Sequence, residues 1–140
     1  MRLENLSELD DLSQLKVLVI DDNLLVHNTL TNSLSELGIG CVKCAQNAFY
    51  ALRLCSEDVF HVIICAFNVK SDKDGFHLLE ELKFKRHVTK TTVLIFLSSE
   101  TDESLVNSII ELEPDDFWVK PLLPTSIKSR LTETLKIKKR

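Results

Sequence analysis

Lys16-Val17-Leu18-Val19-Ile20-Asp21-Asp22-Asn23 is the stretch that decides the fold. Val17 to Ile20 are apolar without alternation, the pattern of a short strand covered on both faces inside a parallel sheet. The run stops at two carboxylates, and Asn23 then offers the side-chain oxygen that a helix N-cap needs. A helical pattern follows from Leu24 to Leu37, with Leu30, Leu34 and Leu37 on one face and Gly38 closing it.

The same unit recurs along the chain. Cys41 to Ala45 reads as a second strand and Asn47 to Cys55 as a second helix. Phe60 to Ala66 is a third buried strand, and the polar loop Asn68 to Asp74 leads to Gly75 and a helix carrying Phe76, Leu79, Leu82 and Lys83. Thr92 to Leu97 is the fourth strand, and Thr101 to Leu112 a helix with Leu105, Ile109 and Leu112 as its stripe. Asp116 to Val119 is a short fifth strand, ended by Lys120-Pro121, and a last helix runs from Pro124 to about Ile137. Five alternations of strand and helix call for an α/β fold, a parallel sheet with helices on both faces and right-handed crossovers. Ahead of it Leu3, Leu6, Leu9, Leu12 and Leu15 recur every third residue, suggesting an N-terminal helical extension over residues 1–14 on a domain spanning 15–140. A partner surface is the other use of that stripe.

Composition narrows the function classes. With 140 residues, 44% of them hydrophobic and 27% charged, the chain has the length and balance of one soluble domain. No apolar run approaches a membrane span, and the N-terminus lacks the basic-then-apolar pattern of a secretory signal, so a cytoplasmic location is expected. The net charge of −4 argues against nucleic-acid binding by this domain, and the basic tail Lys136 to Arg140 reads as a solvated helix end. Cys41 and Cys44 have C-x-x-C spacing but fall in a strand without a second pair, so Cys41, Cys44, Cys55 and Cys65 read as reduced small hydrophobes rather than zinc ligands.

In such folds the chemistry sits beyond the carboxyl ends of the strands. Those ends carry Asp21-Asp22, Ala66-Phe67-Asn68, Ser98-Ser99 and Lys120-Pro121. Each has an ordinary structural use alone: Asp22 or Ser98 can cap a helix, and Lys-Pro is common where a strand ends. Together, two carboxylates, a hydroxyl and a lysine on one edge suit a hard cation such as Mg²⁺ and a phosphoryl group.

Val17 to Asn23, Val62 to Asn68, Leu94 to Ser99 and Asp115 to Pro121 resemble the signature segments of response-regulator receiver domains of two-component, mainly bacterial, signalling. The likeness spans residues 15–137 and implies the flavodoxin-like, doubly wound strand order 2-1-3-4-5. It implies that Asp21 and Asp22 hold Mg²⁺ with the backbone carbonyl of Asn68. It also makes Ser98 the switch hydroxyl, Lys120 the phosphate-binding lysine and Phe117 the aromatic switch. The implied partners are a histidine kinase or phosphotransfer protein, and an output domain or partner protein at the face around Phe117, with a homodimer left open. The loop from Ala66 to Gly75 and the turn Glu113 to Phe117 further resemble receivers fused to tetratricopeptide repeats.

One departure outweighs the matches. Two residues before Asn68 the family places the aspartate that is phosphorylated, and here stands Ala66. A methyl group has no lone pair to attack phosphorus, so no acyl phosphate forms there, and a metal ligand is lost with it. The intactness of Asp22, Ser98 and Lys120 favours recent loss or deliberate replacement over long decay, and both origins stay open. The competing enzyme reading, a Mg²⁺-dependent phosphohydrolase or phosphotransferase using Asp21 or Asp22, lacks the D-x-D spacing and the room for a cap. With three glycines in all, and none after the first strand, no phosphate-cradling loop supports a nucleotide site.

Overall fold

The computed structural model describes residues 11–66, 75–99 and 111–139. Five strands, β1 (Lys16–Ile20), β2 (Cys41–Ala45), β3 (Val62–Ala66), β4 (Val93–Ser98) and β5 (Asp116–Val119), form one sheet. Its order is β2-β1-β3-β4-β5 and every pairing is parallel, the expected 2-1-3-4-5 topology. The described helices are α1 (Leu24–Leu37), α2 (Ala48–Glu57), α3 (Gly75–Phe84) and α4 (Pro124–Lys139). Helix α1 packs against α4, and α2 against α3.

The strands lie where uninterrupted apolar sequence put them. All residues of β3 and β4, and Val17 to Ile20 of β1, are buried. Successive side chains of a strand point to opposite faces, so their burial means that both faces are covered. Each such Val, Leu or Ile contributes roughly 1.5–3 kcal/mol of transfer free energy. The edge strand β2 is buried only at Ala45, and it carries Lys43 and Cys44 outward.

Local chemistry sets the helix ends. Asn23 accepts the Leu25 N–H at 2.9 Å and Asn47 the Tyr50 N–H at 3.0 Å, each satisfying a donor the first turn leaves unpaired. Helix α1 stops at Gly38, whose φ of 103° is the left-handed conformation glycine adopts without penalty. Its core face is Val26, Leu30 and Leu34, joined by two polar residues, His27 and Ser33.

Strand 3 begins two residues later than periodicity suggested, because His61 is occupied at the sheet's lower end. Its Nδ1 accepts the Lys16 N–H at 3.0 Å, and its own N–H donates to the Lys16 carbonyl. Of the expected N-terminal helix, Leu12–Gln14 forms a 3-10 turn and residues 1–10 lie outside the described ones. That turn closes on Gly40, where an added Cβ would stand 1.9 Å from the Ser13 carbonyl oxygen. The expected helix 101–112 lies outside the described residues except for Glu111 and Leu112, which are helical. All four cysteines are free thiols, and among the described residues no helix is long and apolar enough to cross a membrane.

Candidate functional site

The parallel register brings the strand tips to one level. Ile20 pairs with Cys65, Ala66 with Leu97, and Ser98 with Val119, so Asp21, Ala66, Ser98 and Lys120 all come at the carboxyl ends of β1, β3, β4 and β5. Asp21 is completely buried, an environment that tolerates a carboxylate only when it is paired. Its Oδ1 accepts the Asn23 N–H at 2.9 Å, and its own N–H donates to the Ala45 carbonyl. Its Oδ2 forms an ion pair with Lys120 Nζ at 2.8 Å. Oδ2 receives no hydrogen bond among the described residues.

The lysine is held by its backbone, through its N–H to the Ser98 carbonyl at 2.7 Å. That bond continues the β4–β5 ladder one residue past Val119, up to the peptide Lys120-Pro121, which is cis. Ser98 is buried at the end of β4, and Ala66 buries its methyl at the end of β3. Asp22, next in the chain, is half-buried. Asn68, expected to contribute a carbonyl, and the loop acids Asp72 and Asp74 lie outside the described residues.

Two residues of the site carried no motif signal. His27, buried on α1, places Nε2 2.5 Å from the Asp21 carbonyl oxygen and so donates to the backbone behind that carboxylate. Its mark in sequence is that it interrupts an apolar stripe between Val26 and Leu30. Cys65 is the second: burial, and after it the Asp21 carboxylate, push its thiol well above the usual range. It is a neutral filler of the core beneath the site.

Phe117, the expected aromatic switch, is half-buried against the core, and Trp118 beside it is buried. Between them they are tied to α4. Trp118 Nε1 donates to Asp116 Oδ2 at 2.6 Å, and Arg130 grips the same carboxylate through Nε and Nη2. Arg130 Nη2 also donates to the Phe117 carbonyl at 2.9 Å.

Mg²⁺ asks for near-octahedral oxygen ligands. The described residues present Asp21, whose free oxygen already faces an ammonium, and Asp22; Ala66 presents carbon. Among the described residues no group of three His, Cys, Asp or Glu side chains is placed to share an ion. The donor set of the described residues alone does not fit a firmly held divalent cation.

A family profile described as the response regulator receiver domain matches residues 17–132. The chain is 25% identical over 118 residues to a probable chemotaxis protein CheY of Rhizobium etli, covering 84% of this chain and 90% of that protein. It is 34% identical over 111 residues to a putative response regulator, NtrX-like, of Rickettsia felis, covering 79% of this chain but 22% of the relative. It spans about half the length of several further relatives, which are transcriptional regulators. The fold superimposes on the chemotaxis response regulator CheY4 of Vibrio cholerae with a TM-score of 0.77 at 23% identity, over 86% of this chain and 98% of that one.

Proposed function

The chain belongs to the family of response regulator receiver domains of two-component signalling, and from that premise we propose that it is a receiver unable to take up a phosphoryl group. The observation that carries this reading is the buried methyl of Ala66 at the tip of β3, on the edge where Asp21, Ser98 and Lys120 also end. Domains of this family generally bind Mg²⁺ at an acidic site and act as signalling modules rather than enzymes. In this reading Asp21 and Asp22 are the remnant of that acidic site, with the carbonyl of Asn68 as a third ligand. Ser98 and Lys120 are the groups that would have held the phosphoryl oxygens, and Phe117 is the aromatic that would have followed them.

With no nucleophile at position 66, the covalent input that shifts a receiver between two states is missing, and signalling rests on protein contacts alone. The face beside Phe117 is the surface proposed for an output domain or partner protein, and a kinase or phosphotransfer protein can dock without transferring phosphorus. The grip of Arg130 on Asp116 and on the Phe117 carbonyl supports a face held in one arrangement.

Intact-mass measurement after incubation with acetyl phosphate and Mg²⁺ tests the reading. The parent chain is expected to keep its mass, and Ala66→Asp to gain one phosphoryl group that hydroxylamine removes. A hydroxylamine-sensitive phosphoryl adduct on the parent would overturn it.

A further inference from the structure

Lys120 and Asp21 come from opposite sides of the sheet centre, with β3 and β4 between their strands. Three inter-strand steps at about 4.8 Å each separate β5 from β1, so the pair spans the ends of the two strands between them. Ala66 ends one of those two strands, β3, with its methyl buried. The ion pair at 2.8 Å forms on an edge that offers a methyl and no carboxylate at residue 66.

We propose that the Lys120 ammonium is the resident cation of this hollow, occupying the charge position of a divalent metal, so that Lys120 and Mg²⁺ compete for Asp21 Oδ2 and the domain is metal-independent. Three observations converge on it. Asp21 is completely buried and so requires a counter-charge. Its Oδ2 has the Lys120 ammonium 2.8 Å away and no other polar partner among the described residues. The lysine is also prepositioned, three-quarters buried and fixed through its N–H to the Ser98 carbonyl, so little further ordering is needed to hold it there. The pair links the tip of β1 to the chain entering α4, the element that also fixes Phe117 through Arg130. Its regulatory consequence is a receiver whose internal charge keeps the site closed without ligand.

This inference rests on the receiver reading of positions 21, 66 and 120, and its test uses no phosphoryl donor, so the two fail separately. Binding of Mn²⁺, a Mg²⁺ substitute, is followed by the paramagnetic resonance of the free ion, with thermal melting in MgCl2 as a second readout. The parent is expected to leave millimolar Mn²⁺ free and to melt at one temperature with or without MgCl2. Lys120→Ala is expected to bind Mn²⁺ at least about tenfold more tightly and to melt higher in MgCl2, while Lys120→Arg, which keeps the charge, behaves as the parent. If Lys120→Ala fails to fold by far-UV circular dichroism, Lys120→Gln serves in its place with the same expectation. Saturable Mn²⁺ binding by the parent with the affinity of the lysine variant would overturn the proposal. So would a folded lysine variant as indifferent to Mn²⁺ as the parent.

Discussion

Restoring a carboxylate at position 66 is the perturbation with the most calculable cost. The register carries Asp21 to the level of residue 66 on the neighbouring strand, since Ile20 pairs with Cys65. Strands lie about 4.8 Å apart, so two carboxylates there repel by roughly 3 kcal/mol at an effective dielectric of about 20. Lys120, now 2.8 Å from Asp21, would be shared between them and would offset part of that repulsion. The Ala66→Asp chain without metal is therefore expected to be less stable by about 1–2 kcal/mol, which with a urea slope near 2 kcal/mol/M lowers the midpoint by about 0.5–1 M. Trp118, buried and the only tryptophan, reports the transition. Because the variant regains a ligand, MgCl2 should restore its midpoint while leaving that of the parent unchanged. If Ala66→Asp in EDTA unfolds at the parent's midpoint or above it, the two acids do not share one hollow and the geometric reasoning is wrong.

Two further outcomes follow from the packing. Gly40→Ala places a Cβ 1.9 Å from a backbone oxygen of Ser13, which cannot swing aside as a side chain would, so the turn Leu12–Gln14 must move off β2. A loss of about 1–3 kcal/mol in urea unfolding is expected, and an unchanged midpoint would contradict that contact. Among the cysteines, exposed Cys44 should react with a thiol reagent at pH 8 within minutes, whereas buried Cys55 and Cys65 should wait for unfolding. Burial pushes the Cys55 thiol up to about 11. Its folded form holds the proton more tightly than the unfolded chain. The stabilisation is therefore complete below the ordinary thiol value of about 8.5 and disappears as pH rises toward about 11. A Cys55→Ser chain should lose less stability than the parent over that window.

Much of the fold was legible because its causes are local. Helix α1 has the ends its cap residues Asn23 and Gly38 suggest, and β2 and β5 coincide with the stretches read from sequence. Where bounds moved, a long-range contact intervened: His61, apparently part of strand 3, is committed to the backbone of Lys16 on the neighbouring strand. The site was legible in part. Asp21, Ala66, Ser98 and Lys120 follow strands, and in a parallel sheet that alone sends them to one edge. His27 was not, because a histidine among Val26 and Leu30 shows no pattern until the Asp21 carbonyl is seen beside it. Nor was the Arg130 clamp, whose residues lie 14 positions apart along the chain.

By itself, the order of residues determined the alternation of strand and helix, the edge on which chemistry could occur, and the absence of an acidic oxygen at 66. Periodicity, capping and side-chain identity are properties of short segments, so a linear reading suffices for them. Which charges meet was decided only in three dimensions. Lys120 and Asp21 lie 99 positions apart in the numbering, and their attraction falls with distance through space rather than along the chain. Only the packed sheet, with β3 and β4 between their strands, turns two separate motifs into one ion pair.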